Sequence, residues 1–131
     1  MDDKTTARLG RVASRQTLVL THVGRKSGNP YDVTIWFVVT GDKIILPTAN
    51  VSRNWVKNLR KTPVARLDIG GEKFEGHARF IDDSGERARL MPLLRRKYWM
   101  FTPIIAFGQL LALFGATSEP GAFELTMDQA S

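Results

Sequence analysis

Apolar residues, many of them β-branched, are concentrated in three short stretches near the start of the chain, residues 16–21, 33–40 and 43–46. Short runs of this kind between polar turn residues are typical of β-strands. Short turns connect the three stretches, so we predict three antiparallel strands in a meander. The more polar residues 1–15, which precede the first strand, suit a short helix.

After the third predicted strand, the spacing between apolar residues becomes that of a helix. Apolar residues recur at helical spacing from Val51 to Leu59, and Pro63 marks the end of this helix. The side chain of Asn50 or Ser52 can cap its first turn, since both residue types accept hydrogen bonds from free backbone N–H groups.

Apolar and polar residues alternate in residues 64–69 and 73–81, on either side of the adjacent glycines Gly70 and Gly71. A two-residue glycine connection between alternating stretches is a strong signal for a tight β-hairpin. We therefore predict that these two strands pair with each other.

The remaining chain predicts further helices and one more strand. Residues 82–84 form a helix-start cluster, Pro92 should kink or restart that helix, and residues 122–127 suit a last strand. This order predicts an α+β fold, a small closed or split β-barrel of about six mostly antiparallel strands with flanking helices. A single domain is expected over residues 1–131.

Composition excludes several kinds of chemistry. The chain has no cysteine, which excludes disulfides, thiol nucleophiles and cysteine-ligated metals. His22 and His77 are its only histidines, too few for most metal sites, so no metal is expected. The first ten residues contain no apolar segment of the kind found in secretory signals, and we expect a cytoplasmic protein.

The net charge of +6 indicates an anionic partner, which could be nucleic acid, a membrane surface or a small phosphorylated or carboxylated molecule. A merely basic, soluble surface is the alternative. Nucleic acid is disfavoured because the cations are scattered along the chain and several are expected to lie opposite acidic residues.

The turn GRKSGNP between the first two strands concentrates the candidate binding chemistry. Gly24 and Gly28 allow backbone amides to approach a ligand closely. Arg25 can bind a phosphate or carboxylate with two donors, Lys26 adds a second charge, and Ser27 adds a hydroxyl. The turn lacks the spacing of a nucleotide P-loop. We interpret it as an anion-binding loop, the alternative being a solvated hairpin turn.

Two residues of the short helix, Trp55 and Asn58, lie three positions apart and so share a face. Trp55 is either a core anchor or part of a site. Asn58 is less expected on an apolar face, because a buried amide needs hydrogen-bond partners.

The most apolar stretch of the chain, residues 103–116, is too short to span a bilayer. It could be a buried helix, a lid over a ligand, a dimer surface, or an interfacial helix beside the basic cluster of Arg95, Arg96 and Lys97.

Together, the stretches LTHVGRKSGNPYDVTIWFVVTGDKIIL, NWVKNLRKTPVARLDIGG and FEGHARF resemble the deazaflavin-dependent nitroreductase family, flavin and deazaflavin oxidoreductases with a split β-barrel. The resemblance covers about residues 16–81. The combination of a GRKSG turn, a W-x-x-N-L helix and a P-x-V-x-L strand followed by two glycines is more specific than any one of these motifs.

This resemblance implies the coenzyme F-420, an 8-hydroxy-5-deazaflavin whose tail carries a phosphate and several glutamates. The loop would hold the phosphate and tail, the strand backbone after the loop would lie along the ring, and the short helix would wall the phosphate end. The residues implied in coenzyme binding are Arg25, Lys26, Ser27, Gly28, Thr34, Ile35, Asn50, Trp55 and Asn58.

Family resemblance also implies hydride transfer from the reduced coenzyme to a small, apolar, electron-poor substrate such as a quinone, an enone or a nitro compound. Tyr98 is a candidate proton donor. The chain has Tyr31 where related proteins often carry arginine, and only residues 49–54 where many have a longer insertion. FMN is therefore the second choice of cofactor.

A non-catalytic split barrel that carries a lipid, haem or flavin is the alternative function. We expect a homodimer, because split barrels commonly pair through their sheets. A membrane-surface contact is a further alternative for the apolar stretch.

Overall fold

A computed structural model describes residues 3–48, 50–97 and 120–128. The helices and strands are, in chain order, α1 (Asp3–Val12), β1 (Thr17–Val23), β2 (Pro30–Trp36), β3 (Val38–Thr40), β4 (Lys43–Thr48), α2 (Asn54–Lys61), β5 (Val64–Ile69), β6 (Glu72–Phe80), α3 (Ser84–Lys97) and β7 (Gly121–Met127). No helix within the described residues is long and apolar enough to cross a membrane. Tyr98 and residues 103–116, for which the sequence offered several roles, lie outside the described residues.

The seven strands within the described residues belong to one curled sheet with the order β2-β1-β5-β6-β7-β4-β3. Every neighbouring pair is antiparallel. The two edge strands, β2 and β3, follow each other in the chain with only the buried Phe37 between them. The sheet therefore curls so far that one continuous segment of the chain, β2 followed by β3, forms both of its edge strands, as in a barrel.

This topology confirms the α+β class and corrects the predicted connection of the first strands. The strand predicted at residues 33–40 is broken at Phe37, so that six predicted strands become seven. The simple meander is wrong, because β2 pairs with β1 while β3 pairs with β4 at the opposite edge of the sheet. Burial of the Phe37 ring, which is fully enclosed, accounts for the break.

The barrel interior is filled by alternate residues of the strands. On β5 these are Ala65, Leu67 and Ile69, each at most 2% exposed. Helix α2 closes one opening of the barrel with Val56 and Leu59, both fully buried. Each large apolar side chain buried in this way contributes about 1.5–3 kcal/mol to folding.

The predicted hairpin between β5 and β6 is confirmed. Gly70 and Gly71 have φ angles of +61° and +94°, values that favour glycine and that a tight hairpin turn requires. The second strand begins one residue earlier than predicted, at Glu72.

Helix α3 packs on the outside of the barrel, against a second cluster formed by Val38, Ile45, Ile81 and Ala122. Asp83 caps its start by accepting hydrogen bonds from the N–H groups of Gly85 and Glu86, as the sequence predicted. The helix does not restart at Pro92 and runs unbroken from Ser84 to Lys97. Pro92 is exposed, and its ring removes one hydrogen bond from the helix.

Candidate coenzyme site

The loop between β1 and β2, residues 24–29, is a closed turn with its own hydrogen bonds. The Gly24 N–H donates to the Asn29 carbonyl at 2.8 Å, and the Gly28 N–H donates to the Gly24 carbonyl at 2.9 Å. Gly28 has a φ of +74°, in the left-handed region. A Cβ atom at Gly24 would lie 2.7 Å from both the Ser27 hydroxyl and the Tyr31 ring. Both glycines are therefore required by the shape of the loop.

Helix α2 holds this loop through the side chain of Asn58. Its Oδ1 atom accepts hydrogen bonds from the backbone N–H of Arg25 at 3.1 Å and from the Arg25 guanidinium Nη1 at 2.8 Å. From the last turn of the same helix, the Lys61 ammonium donates to the Arg25 carbonyl at 3.0 Å. Three hydrogen bonds thus fix the backbone and the guanidinium of Arg25.

The other end of the Asn58 amide contacts a buried histidine. Its Nδ2 atom lies 3.0 Å from Nδ1 of His22, and both side chains are 5% exposed. Because Oδ1 already accepts two hydrogen bonds from Arg25, Nδ2 is the donor and the histidine Nδ1 the acceptor. Burial lowers the pKa of His22, while the nearby Asp32 carboxylate acts in the opposite direction.

The outer rim of the loop presents polar groups to solvent. The Ser27 hydroxyl lies 3.2 Å from the Tyr31 hydroxyl and accepts a hydrogen bond from the Asn29 N–H at 3.2 Å. Lys26 is exposed and makes no hydrogen bond or ion pair with any residue that the structure describes. The nearby carboxylate of Asp32 accepts a hydrogen bond from Thr21 at 2.6 Å.

Thr34 and Ile35 lie on β2, the edge strand that follows the loop. Their partners on β1 are Val19 and Leu18, so within the described sheet the other side of this backbone faces no strand. The Thr34 side chain is exposed, whereas Ile35 is partly buried against the core. Thr34 is about 17 Å from Asn29 at the end of the loop, at the usual rise of about 3.3 Å per strand residue.

Two other predicted site residues, Trp55 and Asn50, make their described contacts away from the loop. Trp55 is 6% exposed and packs on Phe123 with ring centroids 5.9 Å apart, as expected of a core anchor. Asn50 accepts a hydrogen bond from the Ser52 N–H at 2.8 Å. Both lie near the barrel end that α2 covers, but neither contacts the loop through a hydrogen bond in the described part of the chain.

The predicted cap of α2 is wrong. The chain makes an extra turn over residues 50–53, so the N-cap position falls on Arg53, whose side chain makes no capping hydrogen bond. Asn50 instead stabilises the turn before the helix.

Sequence reasoning missed three residues of this site, His22, Tyr31 and Lys61, as contributors to the loop. One signal was available for Lys61, which follows Asn58 by three positions and so shares its helix face. The other two lie in the strands that flank the loop, where sequence alone gives no indication that their side chains turn towards it.

The groups of the loop fit a phosphate or carboxylate tail. The loop carries two cations and no acid, and Arg25 is already oriented before a ligand arrives. Above Gly28, a Cβ atom would meet nothing within 4 Å, which leaves room for a ligand atom next to the backbone. Charge, hydrogen-bond donors and space are therefore all suited to an anionic coenzyme.

Comparison with known proteins gives this geometry a family context. A family model described as F420H(2)-dependent quinone reductase matches residues 1–103. No curated protein matches the chain.

Solved structures share the fold. An F420-H2 dependent reductase, FDR-A, is 20% identical with a TM-score of 0.63, covering 85% of this chain and 94% of that one. A protein described as a domain-swapped dimer is 19% identical with a TM-score of 0.64, covering 94% of each chain. HutZ, a haem storage protein from Vibrio cholerae, is 17% identical with a TM-score of 0.65, covering 95% of this chain and 90% of that one. These similarities confirm the split β-barrel fold.

Proposed function

Because the chain belongs to the F420H(2)-dependent quinone reductase family, and so is a reductase that depends on coenzyme F-420, we propose that its acceptor is a small apolar quinone. When bound, the reduced coenzyme supplies a hydride to the electron-poor acceptor. The protein contributes binding, orientation and exclusion of water, since the redox reactivity belongs to the coenzyme.

The quinone follows from the family description. One structural observation supports binding of the coenzyme, the seating of the cationic loop on α2. The hydrogen bonds from Arg25 to Asn58 hold the guanidinium in place in the protein itself. A preorganised donor loses less side-chain entropy on binding an anion than a freely rotating one. The phosphate and glutamates of the F-420 tail are anions of the kind that such a donor set binds.

Each residue has a distinct role in the proposed site. Arg25 and Lys26 bind the tail through charge, and Ser27 donates its hydroxyl to the same anion. The glycine at position 28 allows the backbone to approach the phosphate. Asn58 orients Arg25 and walls the phosphate end of the groove. Charged contacts of this kind are screened by salt, so coenzyme affinity should fall as ionic strength rises.

The backbone of β2 at Thr34 and Ile35 is the proposed support for the deazaflavin ring. Its outward edge has no strand partner in the described sheet, and it follows the loop directly. Asn50 and Trp55 belong to the proposed site as supports of the α2 end of the groove. Tyr98 remains the proposed proton donor.

We test the proposal by fluorescence titration with F-420 and, in parallel, with FMN. The Arg25→Ala/Lys26→Ala double variant should bind F-420 at least tenfold more weakly, because charge-assisted hydrogen bonds contribute about 1.5–3 kcal/mol each. The matched control is Arg95→Ala/Arg96→Ala, which removes two adjacent exposed arginines from α3.

The control should bind F-420 like the wild type, and the wild type should oxidise reduced F-420 when a quinone is added. Equal binding by both double variants would overturn the role of the loop. Binding without quinone-dependent turnover would overturn the proposed acceptor.

The proposal includes a homodimer, which the domain-swapped dimer among the structural neighbours supports. Sedimentation velocity of the purified protein should give about twice the mass of 14.7 kDa. A single species at the monomer mass would contradict this part of the proposal.

A further inference from the structure

Both the oxygen and the nitrogen of the Asn58 side-chain amide have hydrogen-bond partners within the protein. Oδ1 accepts from the backbone and guanidinium of Arg25, and Nδ2 donates to Nδ1 of His22. The orientation of the amide therefore depends on a lone pair at Nδ1. A histidine that carries its proton on Nε2 supplies this lone pair.

Protonation of His22 removes that acceptor. Both ring nitrogens of an imidazolium are donors, so Nδ1–H would face the Nδ2 hydrogens of Asn58. Rotating the amide by half a turn would satisfy His22 but would direct the Nδ2 group at two donors of Arg25. No orientation of Asn58 can satisfy all three contacts once His22 is charged.

We propose that His22 is a positioning residue of the coenzyme loop, whose neutral ring holds Asn58 in the orientation that seats Arg25. Protonation of His22 releases this contact and weakens binding of the anionic tail. The inference rests on the proposed function for the identity of the ligand only. The link between His22 and the loop is a property of the protein without ligand.

The charged and titratable groups around His22 act in different directions. On β2, Asp32 favours the protonated ring, and Tyr31 lies with its ring centroid 6.0 Å from that of His22. Arg25 in the loop and Lys61 on α2 add positive charge on the side of Asn58. Burial is the largest influence and lowers the pKa of His22, which favours the neutral ring.

Simple electrostatics predicts the opposite pH dependence. A positive charge gained at His22 would attract an anionic coenzyme and strengthen its binding. If binding is weaker at low pH, the loss of the hydrogen bond to Asn58 outweighs the added attraction between the charged ring and the anion. The sign of the effect decides between the two explanations.

The first measurement uses ligand-free protein and nuclear magnetic resonance. At pH 8 the ring nitrogens of His22 should show an unprotonated Nδ1 and a protonated Nε2. As the pH falls, the amide signals of Arg25 and Gly28 should shift with the same midpoint as the His22 ring. Loop signals that stay constant while His22 titrates would overturn the inference, whether or not F-420 is the ligand.

The second measurement is the dissociation constant for F-420 at pH 8 and at pH 5.5. The wild type should bind more weakly at the lower pH, by a factor that the His22 midpoint sets and that stays below about tenfold because the pKa of His22 is lowered. His22→Asn places an amide oxygen near the position of Nδ1 and does not titrate, so its affinity should change less than twofold. His77→Asn, which alters an exposed histidine bonded to Asp128, should behave like the wild type.

A variant of Asn58 that should remove the pH dependence provides a further test. Asn58→Asp retains an acceptor for Arg25 and also accepts from a protonated His22, so acid should no longer weaken binding. If all variants follow the wild-type pH profile, the coenzyme itself titrates and the inference is wrong. If F-420 binds none of them at any pH, the proposed function fails, while the resonance measurement still tests the link between His22 and the loop.

Discussion

The Lys97 ammonium, at the end of α3, donates a hydrogen bond to the carbonyl of Phe37 at 2.8 Å and lies 3.5 Å from the centroid of the Phe37 ring. Phe37 is the residue at which the extended segment breaks between β2 and β3. This lysine therefore ties the outer helix to the point where the barrel closes. Burial lowers the pKa of Lys97 to about 8, although the carbonyl and the ring both favour the charged form.

The lowered pKa of Lys97 predicts a pH dependence of stability. Between pH 8 and its usual value of 10.5, the folded chain has released this proton while the unfolded chain still binds it. The free energy of unfolding should therefore rise with pH across this window. Urea unfolding of the wild type and Lys97→Met at pH 7.5 and 9.5 measures the effect, and the wild type should gain more than the variant.

The matched control for Lys97 is Lys57→Met, which changes an exposed lysine of α2. It should follow the wild type in pH dependence. If Lys97→Met also gains as much stability as the wild type on raising the pH, Lys97 is not the group responsible.

Removal of the Asn58 side chain should destabilise the protein. Asn58→Ala leaves the Arg25 N–H and the His22 ring without their partner in a buried region, at a cost of about 1–3 kcal/mol. The change in the urea midpoint provides the measurement. Asn54→Ala, at an exposed position in the first turn of the same helix, should change the free energy of unfolding by less than about 0.5 kcal/mol. Equal effects of the two variants would show that Asn58 contributes no more than a surface residue.

Two glycine substitutions should act in opposite directions. A methyl group at Gly24 would lie 2.7 Å from the Ser27 hydroxyl and the Tyr31 ring, so Gly24→Ala should cost about 1–3 kcal/mol and weaken coenzyme binding. A methyl group at Gly10, in α1, meets nothing within 4 Å, so Gly10→Ala should stabilise by up to about 1 kcal/mol. Thermal unfolding and F-420 titration of both variants test this pair. An unchanged affinity in Gly24→Ala would mean that the tight turn is not needed for binding.

The Arg79 guanidinium connects three elements and should help to dock α3. It forms a two-pronged contact with Glu86 on α3, at 2.6 and 3.3 Å, and lies 3.4 Å from Glu124 on β7. Arg79→Met should increase hydrogen exchange of the α3 amides, with a loss of about 1 kcal/mol or less in global stability. The effect should shrink in 1 M salt, because these groups are partly exposed.

The control for Arg79 is Arg66→Met, which removes an exposed ion pair with Glu75 within the β5–β6 hairpin. Its exchange in α3 should match that of the wild type. Equal protection of α3 in both variants would show that the apolar contacts of this helix are sufficient to dock it.

Local regularities of the sequence were enough to predict most of the elements. Strand β5 has the predicted bounds of Val64 and Ile69, because its alternation of apolar and polar residues is visible in consecutive positions of the sequence. The hairpin after it follows from Gly70 and Gly71, whose positive φ angles depend on residue type and not on distant contacts. The cap at Asp83 is local in the same way.

Predictions from local sequence patterns were wrong where contacts between residues distant in the chain determine the structure. The sequence did not predict the break at Phe37, because that residue is placed by the core and not by its neighbours in the chain. Pro92 suggested an interrupted helix, yet α3 is continuous because that proline lies on its exposed side.

The sequence by itself determined that a glycine-rich loop with two cations joins two strands, and that the amide of Asn58 needs hydrogen-bond partners. Only the tertiary structure decided that these partners are Arg25 and His22, 33 and 36 positions away. A hydrophobic period identifies the buried face of a helix but not what that face meets. The partners are selected when the sheet curls and α2 covers its opening, because that step brings the strand end, the loop and the helix together.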